Sequence, residues 1–246
     1  MRTASYFKYL TARWVVVALS VSALLLLAAG TTRVPSLRHY LVIFSALLLA
    51  AMLIIDPGLV EERSRTPAML ATPGRFAASL SFLATLALAA LDVGRLHRFD
   101  SVPVDCRLGG LLLFAITTAL QIWAMAVNPF FSPDICLQAE RGHRVITSGP
   151  YGLLRHPGYL AMLVSVPASA LAIGSWIALL PAAVFCVVIM KRVSAEDEFL
   201  EKHLAGYAEY MRQVRGRLVP RRAIRHCPHE LAVATRFEHR PDQRWP

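Results

Sequence analysis

The side chains best suited to chemistry fall in two polar stretches late in the chain. Arg192 and Glu196 stand four residues apart, so on a helix they share one face and set a cation beside a carboxylate. An ordinary surface ion pair has the same spacing and stabilises by only about 0.3–0.5 kcal/mol, so spacing alone leaves both readings open. The other stretch runs from Gln138 through His143-Arg144-Val145-Ile146 and Gly149-Pro150-Tyr151 to Arg155-His156-Pro157-Gly158-Tyr159. Its glycines and prolines interrupt any helix. Polar and aromatic side chains therefore alternate on irregular backbone, which at a membrane is tolerated where protein or a cavity covers it. His156 suits either a proton acceptor or a hydrogen bonder that fixes a turn. The plainer reading is a juxtamembrane loop, with Tyr151 and Tyr159 in an aromatic belt and Arg155 reaching for the interface. No metal centre is expected. Cys106, Cys136, Cys186 and Cys227 are far apart, and His226-Cys227-Pro228-His229 is too compact to surround an ion.

The elements that must position these residues are apolar. Of 246 residues, 56% are hydrophobic and 17% charged, and the mean hydropathy is +0.49. Both compositions are displaced toward lipid relative to soluble domains. Apolar runs cover about 14–30, 40–55, 76–91, 108–127 and 159–190. A spanning helix needs about 20 apolar residues, and the 108–127 run meets this easily. The second and third are marginal and must recruit flanking residues. The last, at about 32 residues, would be about 48 Å long against a hydrocarbon core of about 30 Å. Gly174-Ser175 lies at its middle, which predicts a tight hairpin of two short helices. The expected architecture is an all-α integral membrane protein with about six transmembrane helices, a cytosolic catalytic loop and a C-terminal amphipathic helix. The first run follows Arg2, Lys8 and Arg13 but precedes no clear A-x-A cleavage site, so it is read as a retained helix.

Charge sets the orientation. The net charge is +10, and twelve of the 26 Lys and Arg residues follow Met190. This predicts a cytosolic C-terminus, at the cell inner membrane if the protein is bacterial. The segments flanking the hairpin, 138–159 and 191–220, must emerge on one side whether or not it crosses fully, and can build one site together. Leu200, Leu204, Tyr207, Met211 and Val214 recur at three- and four-residue spacing, the pattern of an amphipathic helix on the interface or over the site. Arg215, Arg217, Arg221 and Arg222 suit anionic head groups. Residues 223–246 read as a polar, disordered tail. Nucleic-acid binding is excluded as an expectation, because no basic patch interleaved with base-stacking aromatics is present.

Several of these features fall in the order and spacing of one family. They are Gly149-Pro150-Tyr151, Arg155-His156-Pro157-x-Tyr159, Glu196-Asp197-x-x-Leu200, Gly206-Tyr207-x-x-Tyr210 and Arg217-Leu218-Val219-Pro220. Upstream come Asp56-Pro57-x-Leu59-x-Glu61-Glu62-Arg63 and Asn128-Pro129-Phe130-Phe131-Ser132. The chain resembles the isoprenylcysteine carboxyl methyltransferase family of membrane enzymes, in its bacterial branch. The resemblance divides the chain into N-terminal transmembrane helices over 1–55, a membrane methyltransferase domain over 56–222 and the tail. It implies S-adenosylmethionine as methyl donor, held over a membrane-open acceptor tunnel. Carried onto this sequence, Gln138, His143, Arg144, Val145, Ile146, Tyr151, His156, Pro157, Gly158 and Tyr159 would contact the donor. Glu196 would lie on the donor side and Arg192 would meet the acceptor carboxylate, the two catalytic positions. Asp197 replaces the second acid of a Glu-Glu pair, and Leu204-Ala205-Gly206 replaces a Phe-Gly. Both departures are expected to shape the cap without touching the chemistry. The implied partners are membrane lipids and a lipid-like or lipidated acceptor; the oligomeric state stays open. The alternatives are methylation of a phospholipid amine or small thiol, an NADPH-dependent membrane reductase, and a membrane protein without turnover.

Overall fold

The computed structural model describes residues 2–56, 58–59 and 73–220, with side chains from residue 11 onward. Among the described residues every regular element is helical. The long helices are α1 (Arg2–Ala29), α2 (Pro35–Ile54), α3 (Pro73–Leu91), α4 (Val104–Val127), α5 (Pro157–Ile173) and α6 (Leu179–His203), followed by a short α7 (Tyr207–Gln213). Proline at the first turn opens α2 and α5, where its missing N–H costs nothing.

Four of these helices are long and apolar enough to cross a membrane: Thr11–Ala29 within α1, α2, α3 with its extension to Leu96, and α4. The chain is therefore an integral membrane protein. The sequence predicts about six spans. The last apolar run does form a hairpin, and it turns at Gly174 (φ +113°), in the left-handed region open to glycine. Its first arm, α5, has only 17 residues, too few for an unaided crossing. Its second arm, α6, is apolar over its first half and charged from Lys191 onward.

α4 and α5 pack at close range because Gly110 carries no side chain. A Cβ there would lie 2.9 Å from the backbone oxygen of Ala168 and the backbone nitrogen of Ala172. The bundle core gathers Leu25 and Ala29 of α1, Leu37 and Tyr40 of α2, Leu86 and Ala90 of α3, Phe114 of α4 and Ile173 of α5. At the end away from the polar stretches, α3 runs into one π-helical turn (Asp92–Leu96) stopped by His97 at φ +51°. The fully buried Asp92 ties this turn down. It accepts hydrogen bonds from the backbone N–H of Arg98 and Phe99, both at 3.2 Å, and from the Ser175 hydroxyl at 2.6 Å. Arg95 donates to the carbonyls of Leu27 and Ala28, closing the exposed end of α1.

At the other end, the expected continuous amphipathic helix is broken. α6 stops at His203, and Gly206, at φ +82°, turns the chain into the seven-residue α7. Leu200, Leu204, Tyr207, Met211 and Val214 still converge, now around Val145 of the loop. Their spacing reports burial on one side, which a kinked pair of helices supplies as well as a straight helix does. The tail beyond Pro220, including His226-Cys227-Pro228-His229, and most of the Asp56–Arg63 stretch lie outside the described residues.

Candidate functional site

Asp197 is the organising residue where the polar stretches meet. It is 1% exposed, and four side chains donate to its carboxylate. Oδ1 accepts from Tyr207 Oη at 2.7 Å, from His156 Nε2 at 2.8 Å and from Arg155 Nε at 3.3 Å. Oδ2 accepts from Arg217 Nε at 2.7 Å and Arg155 Nη2 at 2.8 Å. Burial opposes its charge, but the hydrogen bonds from His156 and Arg155, the charge of His156 and the Tyr207 hydroxyl outweigh it. They hold the carboxyl well below the usual carboxylate range. Burial, and then the carboxylate at its hydroxyl, push the Tyr207 phenol up.

Backbone contacts fasten the same junction. The N–H groups of Arg155 and His156 donate to the carbonyls of Gly216 and Arg217 at 2.8 and 3.1 Å. Arg155 Nη1 reaches the carbonyls of Val214 and Arg215. Tyr210 donates its hydroxyl to the Tyr151 carbonyl at 2.8 Å. The loop, the end of α6 and the segment after α7 thus form one unit, and the two polar stretches do lie on the same side. Asp197, expected to shape the cap without touching the chemistry, holds the loop to α6 and does not line the cavity beside this junction. His156, read from sequence as either a proton acceptor or a turn-fixing hydrogen bonder, makes this contact through Nε2.

Beside this hub lies a cavity of about 480 Å³, within the usual range of small-molecule sites. Its walls change character with depth. Toward the bundle interior they are apolar: Ala78 and Phe82 of α3, Met162 and Val166 of α5, Phe185 and Ile189 of α6. Toward the loop face they are polar and aromatic, with Phe130, His143, Tyr159, Arg192, Glu196 and Tyr207.

Most of the site residues expected from sequence meet at this cavity. His143, Arg144, Val145, Ile146, Tyr151, His156, Gly158, Tyr159, Arg192 and Glu196 all line it. Gln138 and Pro157 do not. The Gln138 amide is turned aside, donating to the Phe130 carbonyl at 3.0 Å and accepting from Arg141, while Pro157 starts α5. Arg192 and Glu196 share a helix face as their spacing requires, yet each takes a partner elsewhere. Arg192 Nη2 donates to the Pro133 carbonyl at 2.6 Å, and Glu196 Oε2 accepts from the Tyr159 hydroxyl at 2.6 Å. Among the described residues no ion pair joins the two; both line the cavity, with Tyr159 hydrogen-bonded to each.

The segment 128–136 forms a wall that the resemblance includes but to which it assigns no role. Asn128 caps its own loop, accepting from the Phe130 N–H at 2.9 Å, and donates to the Tyr151 hydroxyl at 3.2 Å. The Phe130 ring stacks on His143 with centroids 4.6 Å apart, and Arg141 lies over the same ring at 5.9 Å. Burial, then the charge of Arg141, push the His143 imidazole below its ordinary pKa, favouring a neutral ring at physiological pH. Phe131 packs against Gly158 by one ring edge, where a Cβ would come within 2.5 Å of Cε2. Arg75 of α3 also lines the cavity and pairs with Asp134 at 3.0 Å.

Residues 110–202 match the model of the isoprenylcysteine carboxyl methyltransferase family. The matched stretch begins in α4, contains the whole loop and α5, and ends near the C-terminus of α6. Among curated proteins none matches the chain.

Proposed function

We propose that this chain, whose residues 110–202 match the isoprenylcysteine carboxyl methyltransferase family model, transfers a methyl group from S-adenosylmethionine to the carboxylate of a lipid-tailed acceptor at the membrane. One observation carries the reading: a single cavity joins a polar edge bearing Arg192 and Glu196 to an apolar arm running between α3, α5 and α6. A substrate with a charged head and a hydrocarbon tail needs that combination.

The residues present fit a cationic sulfonium donor. Glu196 offers a carboxylate, fixed in direction by Tyr159, and the rings of Tyr159 and Phe130 add faces on which positive charge is stabilised. The stack of Phe130 on a largely neutral His143 suits a flat heterocycle. When bound, the donor supplies a methyl group already activated by its positive sulfur.

The protein must then align acceptor and methyl carbon at about 3–3.5 Å. One of the five donors on Arg192 is held by the Pro133 carbonyl, which fixes the guanidinium at the wall. A carboxylate acceptor paired there is oriented by a charge-assisted contact. Arg192 would hold the acceptor carboxylate and Glu196 the donor, which would supply its methyl to an acceptor oxygen and leave as a neutral thioether that keeps the carbon–sulfur electron pair. No proton moves, because the acceptor is ionised at neutral pH. The site accordingly needs no general base, in keeping with the fixed contact between His156 and Asp197. The low-dielectric arm keeps water from the donor and strengthens both charged contacts.

The test is calorimetric titration of the detergent-purified protein with S-adenosylmethionine, S-adenosylhomocysteine and NADPH, with Glu196→Ala alongside. The expected result is saturable binding of the first two, weakened by the substitution, and none of NADPH. Binding of NADPH alone would establish a reductase instead.

A further inference from the structure

Outside the main cavity a groove of about 390 Å³ runs between the first turn of α3, at Gly74, and the α6 residues Val188, Lys191 and Ala195. Only a thin partition divides the two spaces, since Asp134, Ile135 and Arg192 line both. The charges around the groove do not cancel. Arg75 neutralises the Asp134 carboxylate through their 3.0 Å pair. Arg192 is held by neutral oxygens, the Pro133 carbonyl at 2.6 Å and the Tyr159 hydroxyl. Lys191 is exposed and has no hydrogen bond or ion pair among the described residues. The groove therefore presents a surplus of positive charge.

Next to that charge the surface is made for hydrocarbon. Val187, Val184 and Leu180 stand four, seven and eleven residues before Lys191, so all four share one face of α6. The three apolar side chains are 57%, 54% and 68% exposed. Lys191 also marks where α6 changes from apolar to charged, the depth at which a membrane helix meets phosphates and a lysine reaches toward them. A cation without a partner, set above an exposed apolar stripe, matches a ligand with a phosphate over an acyl chain. We propose that the groove binds one anionic phospholipid of the adjoining leaflet. Its phosphate sits on Lys191 at the outer side of Arg192, and an acyl chain follows Val187, Val184 and Leu180. A zwitterionic lipid would bring its own cation to a site already positive, so the anionic head group is preferred. The lipid stays outside the main cavity, but its charge acts through the partition. A phosphate beside Arg192 weakens the hold of that guanidinium on the acceptor carboxylate. This consequence, unlike the lipid site, rests on the proposed methyl transfer.

Native mass spectrometry of the full chain in detergent, titrated with phosphatidylglycerol or phosphatidylcholine, reads the site directly. The wild type should hold one phosphatidylglycerol about tenfold more tightly than phosphatidylcholine, the worth of one charge-assisted contact. Lys191→Gln removes the cation. Ala195→Phe fills the groove while keeping every charge, and Ala195 does not line the main cavity. Each should weaken phosphatidylglycerol binding about tenfold and leave the affinity for S-adenosylmethionine unchanged. In nanodiscs, with an N-acetylated S-isoprenyl cysteine as acceptor, replacing part of the phosphatidylcholine by phosphatidylglycerol should raise the acceptor KM severalfold at constant kcat. Ala195→Phe should flatten that response, which separates the groove from general repulsion between an anionic bilayer and an anionic acceptor. Equal affinity for the two lipids in the wild type, or unchanged phosphatidylglycerol binding in both variants, overturns the site. A KM response as steep in Ala195→Phe as in the wild type overturns the coupling to Arg192. Lipid binding as expected, in protein that binds the donor but methylates no carboxylate, overturns the methyl transfer and leaves the lipid site standing.

Discussion

The largest single-residue effect belongs to Asp197, whose carboxylate ties Arg155, His156, Tyr207 and Arg217 together. Removing it leaves the 9% exposed Arg155 side chain without its counter-charge. Asp197→Ala should cost about 3–5 kcal/mol, as when one partner of a buried ion pair is lost. The fall in thermal midpoint of the detergent-solubilised protein checks this. The same contacts set a pH dependence. Because the folded pKa is depressed, the contribution is fully present above the unfolded value of about 3.9 and is lost as pH falls below it. Unfolding midpoints taken from pH 7 down to pH 3 should therefore drop in the wild type more steeply than in Asp197→Asn. Glu196 and Arg192 part company in a different measurement. Glu196→Gln should weaken donor binding about 10- to 100-fold, the worth of one charge-assisted contact. Arg192→Lys should leave donor binding near the wild-type level and raise the acceptor KM. The Arg–Glu pair was legible in the sequence because its four-residue spacing has one geometric meaning on a helix. The hub was not. Asp197 is adjacent to Glu196 and differs from the family's usual acid by a single methylene, and only the long-range fold shows that it faces the loop rather than the cavity.

Elements tell the same story through their glycines. Gly158 and Gly206 both lie in the polar region; the sequence marks Gly158 as a helix breaker and a donor contact, and runs an amphipathic helix through Gly206. Their reasons differ. At Gly206 (φ +82°) an added Cβ meets nothing, so Gly206→Ala carries only the conformational penalty of about 1–2 kcal/mol. It should lower the unfolding midpoint slightly and change donor affinity little. At Gly158 a Cβ would come within 2.5 Å of the Phe131 ring, which must swing into the cavity that it helps to line. Gly158→Ala should therefore reduce donor or acceptor affinity severalfold while leaving stability near that of Gly206→Ala, a contrast that paired calorimetry and thermal melts would show. The hairpin at Gly174 was readable because a run of about 32 apolar residues cannot cross a 30 Å core as one helix. The break between α6 and α7 was not, since three- and four-residue spacing continues through it and only backbone geometry separates a bend from a straight helix.

For the whole molecule, what the sequence leaves least certain is how many segments cross the membrane. Hydropathy sees length and apolarity, and by those measures four helices qualify, while α5 falls short and α6 is charged over its second half. Packing adds a constraint that hydropathy lacks. α5 is held along its length against α4, a clear spanning candidate, by the close approach at Gly110. Its buried residues include Ala168, Ala170, Ala172 and Ile173, which continue the core of the bundle. We therefore expect the hairpin to traverse the bilayer with its neighbours, its turn beside Asp92 on one face and the cavity opening on the other. Two native cysteines test the frame on which this depends. Cys106, in the first turn of α4, and Cys136, beyond the end of that helix, are both exposed. They should lie on opposite sides of the membrane. In a Cys186→Ser/Cys227→Ser background, a membrane-impermeant maleimide should label Cys136 only in inverted vesicles and Cys106 only in right-side-out ones. The positive charge after Met190 predicts that the side labelled at Cys136, with the cavity mouth, is the cytosolic one. Labelling of both cysteines from one side would mean that α4 does not cross. The apolar arm between α3, α5 and α6 could not then be a route for a lipid tail, because its walls would no longer stand at membrane depth.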